Sequence, residues 1–325
     1  MNNFGRIFRI SIFGESHGKS VGITIDGCPP SIKFSEKDML EDISRRKSGK
    51  KGTTPRREPD LPDIISGVFN GKTTGAPITI IFQNQNLRSK DYSFVKDIPR
   101  PGHADFTAER KYKGFQDYRG GGHFSGRLTL ALVAAGTLAK KIIKPMAPSA
   151  SILEVGGFTN IEEGIEYAVK NNDSIGGIIE CRVENMLIGL GEPFFDSLES
   201  YISHLVFSIP AIKGVEFGSG FESAKMTGSK VNDVIIDDKG TTKTNNSGGI
   251  NGGISNGNNL LFRVVVKPTS SISKSQNTYN FKSGQIEELK IKGRHDLCIA
   301  LRVPPVLEAV TSIALADLLL ISRAY

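Results

Sequence analysis

The stretch LTLALVAAGTLAKKII, residues 128–143, constrains the fold more than any other part of the chain. Its apolar side chains point in nearly every direction around a helix, and Ala131, Ala134 and Gly136 are small enough for close packing. A helix that is apolar on all sides belongs in a hydrophobic core. The sequence therefore predicts that these residues form a helix inside the protein.

The segment DYRGGGHFSGR, residues 117–127, leads directly into this helix. Three consecutive glycines are flanked by Arg119 and Arg127. The first amides of a helix have no partner within the helix, and the helix dipole favours negative charge at that end. We therefore interpret the segment as an anion-binding loop. The alternative is that the glycines form a flexible connector.

Strands and helices alternate along the rest of the chain. Apolar, β-prone runs predict strands at 6–13, 21–26, 78–82, 177–183 and 260–266. Helical patterns predict helices beginning after Ser35, with Asp38 at the third helical position, and at 161–170, 196–207 and 305–322. Residues 48–62 predict a long loop, and residues 84–126 carry little regular signal. No linker divides the chain, so we expect a single domain of mixed α and β type over residues 1–325.

Four of the five histidines lie in short segments rich in glycine or charge. FGESHG contains His17, RPGHAD contains His103, RGGGHF contains His123, and GRHD contains His295 beside a carboxylate. Histidine is the side chain best suited to moving protons near neutral pH. The pattern predicts an active site assembled from both ends of the chain. For a single histidine such as His17, a buried structural role is the alternative.

The composition favours a soluble protein that binds anions. The 325 residues include 41 Lys and Arg against 34 Asp and Glu, which gives a formal net charge of +7. The cations do not form the dense basic blocks of a nucleic-acid-binding arm, so we expect no nucleic-acid partner. A basic RNA-binding protein stays the alternative from another functional class, and it would leave the histidines without a purpose.

The positions of the cysteines argue against a metal site, and the hydropathy of the chain argues against a membrane span. Cys28, Cys181 and Cys298 are far apart, and no CxxC or Cys/His spacing suggests a metal site. We expect reduced thiols in a cytoplasmic protein. The N-terminus lacks the apolar core of a signal peptide, and no run of 18 uninterrupted apolar residues exists, so we expect no membrane partner.

Taken together, seven motifs in this order resemble the chorismate synthase family. They extend over essentially the whole chain and are FGESHG, RPGHAD, DYRGGG, GLGEPFFD, GGINGGIS, KPTSS and GRHD. The resemblance implies an α+β fold, a β-α-β sandwich with two antiparallel sheets and helices. It also implies a homotetramer of the bacterial, monofunctional type.

The resemblance further implies a reaction and a cofactor. The family catalyses the anti-1,4 elimination of phosphate from 5-enolpyruvylshikimate 3-phosphate to give chorismate, the last common step toward the aromatic amino acids. It requires reduced FMN although the reaction has no net redox change, so an external flavin reductant is an expected partner. Nothing in the sequence indicates the NADPH-dependent flavin reductase activity of fungal relatives.

Three residues match catalytic positions of the family. His17 resembles the histidine that protonates the departing phosphate. His103 resembles the histidine beside the N1/O2 region of the reduced flavin, where it stabilises negative charge. Asp296 resembles the aspartate near flavin N5 that takes part in removing a proton from the substrate ring.

Further residues match binding positions of the family. For the substrate anions these are Arg46, Lys51, Arg127 and Arg294. For the flavin they are His123, Phe124, Ser125, Ala211, Gly252, Lys267, Pro268, Thr269, Ser270, Ser271 and Arg294.

The chain departs from the usual family pattern at four positions. His123 and Phe124 stand where many relatives have Arg-Ser, Leu128 stands where they have glutamate, and Leu297 stands where proline commonly follows. One cation near the flavin phosphate is thus replaced by an imidazole. A flavin oxidoreductase with net electron transfer is the alternative enzyme, but no GxGxxG follows a strand to bind a nicotinamide.

Overall fold

Two antiparallel sheets and the helices between them make up most of the regular structure. The computed structural model describes residues 2–55, 58–85, 94–291 and 295–324. The strands within these ranges are β1 Asn3–Phe4, β2 Arg9–Gly14, β3 Ser20–Asp26, β4 Asp63–Ser66, β5 Val68–Phe69, β6 Lys72–Thr73, β7 Ile78–Gln83, β8 Ala147–Val155, β9 Gly177–Glu184, β10 Ile212–Phe217, β11 Ile250–Asn251, β12 Ile254–Ser255, β13 Leu260–Val266, β14 Gln276–Asn280 and β15 Gln285–Leu289.

Helices connect these strands, and two of them lie in the centre of the protein. The α-helices are α1 Glu36–Arg46, α2 Asp105–Lys111, α3 Thr129–Ile142, α4 Ile161–Asn171, α5 Leu198–Val206, α6 Gly228–Val231 and α7 Pro304–Ser322. Shorter 3-10 turns occur at Arg119–Phe124, Gly126–Leu128, Phe194–Asp196, Gly220–Lys225 and Ile299–Arg302.

The first sheet has the strand order β1-β2-β3-β7-β4. Its neighbouring strands are antiparallel, with Ile23 of β3 opposite both Ile12 of β2 and Ile80 of β7. Alternate side chains of β3 and β7, including Ile25 and Phe82, are fully buried. Because side chains alternate between the two faces of a strand, this pattern turns one apolar face of the sheet inward.

The second sheet has the order β10-β13-β9-β8 and is also antiparallel. Ile179 and Val183 of β9, and Phe262 and Val264 of β13, are fully buried on its inner face. The outer face carries ion pairs such as Arg263 with Glu180 at 3.1 Å. Each sheet therefore presents one apolar face to the same interior.

Helices α3 and α7 fill the space between the two sheets. α3 packs on β2, β3 and β7, α7 packs on β8 and β9, and the two helices pack on each other. A Cβ atom added to Gly136 would lie 2.3 Å from Cβ of Ala309, so the two backbones approach closely. The expected core helix and the β-α-β sandwich are both confirmed.

By length and composition α7 could cross a membrane, but its surroundings are those of a core helix. Of its most apolar 18-residue window, 83% is buried inside the structure. Polar side chains are buried along it as well: Glu308 and Asp317 are both enclosed and both hydrogen-bonded. The apolar surface of this helix is therefore used for packing between the sheets.

The expected elements form with small shifts at their ends, and the N-terminus of α1 forms as predicted. Ser35 N donates to Asp38 Oδ2 at 2.7 Å. The 84–126 region contains α2, which the weak periodicity of the segment did not predict. Two further surprises are β8, which begins with small and polar residues, and the β14–β15 hairpin, whose side chains are largely exposed.

Candidate active site

Two adjoining cavities lie beside the N-terminal end of α3. The smaller cavity has a volume of about 500 Å³ and the larger cavity about 710 Å³. Both have the size of small-molecule sites. The residues that line both cavities are Gly120, Ser125, Gly126, Thr129, Ile209, Pro210 and Ile299.

Arginine side chains dominate the smaller cavity. Arg46, at the end of α1, is 2% exposed, and its Nε and Nη2 donate to Thr129 Oγ1 at 2.9 Å and to the Gly126 carbonyl at 2.7 Å. Burial and the neighbouring cations Arg302 and Arg127 lower the pKa of Arg46 to about 9. An anionic ligand beside these buried guanidinium groups would favour their charged form.

Arg127 brings a free donor to the same cavity. Its Nη1 donates to Asp60 Oδ1 and its Nε to Asn84 Oδ1, each at 2.6 Å. Its Nη2 is buried and has no hydrogen-bond partner within the described ranges. Buried donors are normally paired, so an unpaired guanidinium nitrogen in a cavity wall marks a place for a ligand acceptor.

The carboxylate of Asp296 lies in the wall of the smaller cavity, and two neighbouring groups hold it in place. Its Oδ1 accepts the Thr54 backbone N–H at 2.9 Å, and its Oδ2 lies 3.2 Å from Arg302 Nη1. Arg302 also donates from Nε to the Arg46 carbonyl at 3.1 Å. One arginine therefore connects the aspartate to the end of α1, and both groups line the same cavity.

His17 is buried at the junction of the two cavities, with 4% of its surface exposed. Its ring lies against the backbone of Gly120, which lines both cavities: a Cβ atom added to Gly120 would be 2.5 Å from His17 Nε2. The preceding Ser16 lines the smaller cavity, and its N–H donates to the Gly122 carbonyl at 3.0 Å. The FGESHG turn and the triple-glycine loop are therefore in direct contact.

The triple-glycine loop has a defined conformation. Gly120, Gly121 and Gly122 all have positive φ values, of 59°, 81° and 52°, so the backbone is kinked here and is not helical. Arg119 turns away from the cavities and pairs with Asp117 at 2.8 Å. Of the two arginines expected to flank an anion, the structure brings only Arg127 into a cavity wall.

The larger cavity is built where KPTSS meets RPGHAD. Lys267 Nζ and Ser270 Oγ both donate to the Gly102 carbonyl, at 2.6 and 2.8 Å. Arg100 Nη1 donates to Ser271 Oγ at 3.0 Å. These bonds join segments more than 160 positions apart in the sequence. Nearby, Thr269 Oγ1 is buried without a partner in the described part of the chain, although Thr269 lines the cavity.

The opposite wall of the larger cavity contains the RGGGHFS segment. His123 Nδ1 lies 2.9 Å from the Gly14 carbonyl, and its Nε2 lies 3.0 Å from Asn2 Oδ1. Phe124 presents a half-exposed ring, and Ser125 Oγ accepts the Arg127 N–H at 3.2 Å. His123 is thus held by Asn2 and by the end of β2 while it lines the cavity.

His103 and Ala211 complete the larger cavity. His103 Nδ1 is 2.7 Å from Asp105 Oδ1, which leaves Nε2 as the nitrogen available to a ligand. The carbonyl of Ala211 accepts the Lys267 N–H at 2.9 Å, and Ala211 has an unusual positive φ of 75°. Both residues, and all five of 267–271, line this cavity.

Three of the expected site residues that the structure describes, His17, Lys51 and Gly252, line neither cavity, and His17 lies behind Gly120. Lys51 is 62% exposed and pairs with Glu166 at 2.8 Å. Gly252 lies in the turn between β11 and β12, outside both linings. Arg294 lies outside the described residues, so the structure says nothing about its position.

Sequence reasoning also missed residues that line the smaller cavity, namely Lys47, Asp60 and Arg302. Lys47 directly follows the last residue of α1. Asp60 and Arg302 lie outside every motif, and nothing in their sequence neighbourhood marks them. Their roles depend on long-range contacts, with Asp60 held by Arg127 and Arg302 holding Asp296.

Comparison with known proteins agrees with this geometry. A family model described as chorismate synthase matches residues 8–320. The chain is 62% identical to the chorismate synthase of Chitinophaga pinensis over 324 residues, which covers 99% of this chain and 98% of that one. It is 43% identical to the enzyme of Methanocaldococcus jannaschii, with coverage of 98% and 96%. A crystal structure of a chorismate synthase matches with a TM-score of 0.75 at 26% identity, covering 98% of this chain and 93% of that one. The chain therefore belongs to the chorismate synthase family.

Proposed function

We propose that the smaller cavity binds 5-enolpyruvylshikimate 3-phosphate and that the chain eliminates its phosphate to give chorismate. Chorismate synthases are lyases of the shikimate pathway, so the family supplies the reaction. The observation that supports the site is the convergence of Arg46, Arg127 and Arg302 on one cavity, with Arg127 Nη2 buried and unpaired among the described residues. A substrate with two carboxylates and a phosphate requires such cations, and arginine binds these groups bidentately.

The larger cavity is the proposed site of reduced FMN, the cofactor of the family. Its volume of about 710 Å³ suits a ligand of that size, and the unpaired Thr269 Oγ1 offers it a hydrogen-bonding group. The residues that would hold it are His103, His123, Phe124, Ser125, Ala211 and 267–271. When bound, reduced FMN supplies electron density to the breaking allylic C–O bond.

His17 is the proposed proton donor to the leaving phosphate. The ring lies at the junction of the two cavities, where Gly120 separates it from both. As the C–O bond breaks, its electron pair leaves with the phosphate, and a proton from the imidazole neutralises part of the new charge. General acid catalysis of this kind is typically worth about 10²–10⁴-fold in rate.

Asp296 is the proposed participant in proton removal from the ring. The C–H electron pair that remains forms the new double bond, so elimination is balanced without net oxidation. Thr54 N–H and Arg302 hold the carboxylate in place in the wall of the smaller cavity. Arg302 is thereby a positioning residue that the motifs alone did not identify.

The remaining parts of the proposal concern assembly and supply. We propose a cytoplasmic homotetramer that receives reduced flavin from an external reductant. We also propose that Gly252 and Arg294 bind the flavin and that Lys51 binds the substrate, as the family resemblance implies. Sedimentation analysis of the 35.2 kDa chain tests the tetramer directly.

An anaerobic assay tests the reaction and the acid role together. The full chain is incubated with dithionite-reduced FMN and 5-enolpyruvylshikimate 3-phosphate, and chorismate absorbance is followed. We expect chorismate to form without stoichiometric consumption of NADPH. The variant His17→Ala should bind flavin but lose about 10²–10⁴-fold in rate.

Each arm of that assay has a contrary result. Absence of chorismate with the native chain would refute the proposed reaction. Electron transfer in step with NADPH consumption would instead identify a flavin oxidoreductase. Normal turnover by His17→Ala would leave the reaction intact and remove the histidine from the acid role.

A further inference from the structure

Asp105 is a buried carboxylate beside the larger cavity, and the proposed reaction gives it no role. Its side chain is 5% exposed, yet it receives four donors. Oδ2 accepts the backbone N–H of Arg100 at 3.1 Å and its Nε at 2.7 Å. Oδ1 accepts Arg100 Nη2 at 2.8 Å and lies 2.7 Å from His103 Nδ1.

Two neighbours of His103 Nδ1, the carboxylate of Asp105 and the guanidinium of Arg100, bear on which nitrogen of the ring carries the proton. A carboxylate only accepts, so a short contact to Nδ1 requires a proton on that nitrogen. Arg100 Nη2 lies 3.0 Å from the same nitrogen and can only donate, so that contact would suit an unprotonated Nδ1. The contact from Nδ1 to the carboxylate is the shorter of the two, and Arg100 Nη2 already donates to Asp105 Oδ1 at 2.8 Å. A bare Nδ1 would place its lone pair against the carboxylate. His103 Nε2 is consequently left as the acceptor, or after protonation the donor, toward the larger cavity.

Arg100 holds the carboxylate in place. Its guanidinium is buried, binds Asp105 through two nitrogens, and donates from Nη1 to Ser271 Oγ at 3.0 Å. Burial raises the pKa of Asp105, but hydrogen bonds from Arg100 and His103 outweigh it and hold that pKa well below its usual range. Asp105 is therefore charged throughout the working pH range, and its position depends on a residue that also contacts the KPTSS segment.

We propose that Asp105 is a positioning residue for His103. Its carboxylate keeps the imidazole proton on Nδ1, presents Nε2 to the larger cavity, and stabilises positive charge on the ring when Nε2 is protonated. The inference rests on the proposed function, in which His103 stabilises negative charge on a reduced flavin. It adds the group that makes this possible, since a neutral ring would balance less of that charge.

The other charged groups near His103 do not take over this function. Lys96, Glu109 and Asp117 share a cavity of about 20 Å³ with His103, but Glu109 binds Gln116 and Asp117 binds Arg119. The larger cavity adds further titratable groups, which are Lys213, Lys267, His123 and His204. Among the residues that the structure describes, Asp105 is the carboxylate that touches the ring.

The substitution Asp105→Asn makes a specific prediction about the proton. Two fixed donors of Arg100, its backbone N–H and Nε, face Oδ2, whereas one, Nη2, faces Oδ1, so we expect the amide oxygen of asparagine at the position of Oδ2. Its NH₂ group then faces Nδ1 of His103 and donates to it. Nδ1 must accept, and the ring proton moves to Nε2. A side chain that serves only to fill space would not produce this exchange of tautomers.

Nitrogen-15 NMR of the full chain labelled at histidine tests the proposal. We expect the neutral His103 ring to carry its proton on Nδ1 in the native chain and on Nε2 in Asp105→Asn. In the anaerobic assay the variant should lose at least about tenfold in single-turnover rate, as expected for an impaired proton-handling group. The alkaline limb of its pH–rate profile should move to lower pH, with FMN affinity changing far less.

The matched control is Asp173→Asn, which removes a carboxylate from an exposed pair with Lys274 at 2.9 Å. It should leave both the tautomer of His103 and the turnover unchanged. An Nε2–H tautomer in the native chain would overturn the proposal, even if Asp105→Asn failed to fold. Native turnover and an unmoved pH profile in a folded Asp105→Asn would also overturn it. Full activity of His103→Ala would instead refute the proposed function of His103 while leaving the tautomer result valid.

Discussion

Gly120 lines both cavities of the candidate site and lies against the ring of His17. Its φ is +59°, and the missing side chain leaves room for the ring of His17. A Cβ atom there would lie 2.4 Å from His17 Cδ2 and 2.5 Å from Nε2, well inside van der Waals contact. The position of the proposed proton donor therefore depends on a glycine more than 100 residues away in the sequence.

Gly120→Ala should reduce chorismate formation by at least about tenfold, because the displaced imidazole loses its orientation toward the cavities. The matched control is Gly157→Ala, which has a similar positive φ of 84° but open space around the added Cβ. Both variants carry the backbone strain of about 1 kcal/mol, so both should melt slightly lower. Equal turnover in the two variants would show that His17 tolerates the displacement.

Some residues of the candidate site can be predicted from sequence motifs, and others can be found only in the folded chain. His17, His103 and Asp296 lie within motifs, and each is found beside a cavity or at the junction of both. Asp60 and Arg302 have no motif, because their significance comes from partners at Arg127 and Asp296 that only the folded chain brings near. Lys51 shows the converse: its position in the loop suggested a substrate cation, and its side chain instead pairs with Glu166.

At the scale of elements, helix α7 anchors residues 6–8, which connect β1 to β2, to the core. Asp317 of α7 is fully buried and accepts the backbone N–H groups of Arg6, Ile7 and Phe8 at 2.7–2.8 Å, together with the Tyr201 hydroxyl. The strand that precedes these amides, β1, lines the larger cavity at its two residues. One carboxylate in a core helix thereby fixes one wall of the proposed flavin site.

Asp317→Asn should lower the free energy of unfolding by about 2–3 kcal/mol, because an amide NH₂ then faces donors in a buried site. Urea denaturation measures this as a lower midpoint with an unchanged slope. FMN affinity should fall as well, since β1 loses its anchor. Asp26→Asn, which removes an exposed partner of Arg9, should leave the midpoint nearly unchanged. A midpoint for Asp317→Asn equal to that control would contradict the anchoring role.

The sequence best predicts those helices and strands that are buried on all sides or that bury every second residue. α3 and α7 read as core helices because apolar residues cover almost their whole surface, and β3 and β7 read as strands because apolar residues alternate. The β14–β15 hairpin is mostly exposed, so neither rule marks it. Its Phe281 ring stacks on Phe106 of α2, a contact that no local pattern could predict.

For the whole molecule, closely packed layers enclose several acids that must stay neutral. Burial raises the pKa of the Cys28 and Cys298 thiols to about 11 and that of Cys181 to about 12. Burial, with Asp317 adding to the effect, raises the pKa of the Tyr201 hydroxyl as well. The folded chain therefore keeps protons that the unfolded chain releases above about pH 9. Stability should be fully present below that pH and lost as the pH rises toward the folded values.

Cys181→Ser isolates the contribution of one such thiol. The residue lies on β9 and is fully buried against α7, with its Sγ 3.7 Å from Thr311 Oγ1, so a hydroxyl can occupy the same place without ionising. Between about pH 9 and 10.5 each buried thiol should reduce the free energy of unfolding by about 1.4 kcal/mol per pH unit. We measure the free energy of unfolding by urea denaturation under reducing conditions at several pH values. For Cys181→Ser it should fall less steeply with pH than for the native chain, by that amount per pH unit, whatever the stability of the variant at pH 7. If the native chain and the variant lost stability with the same slope, the thiol would have to ionise in the folded state, and the core around β9 would have to admit water.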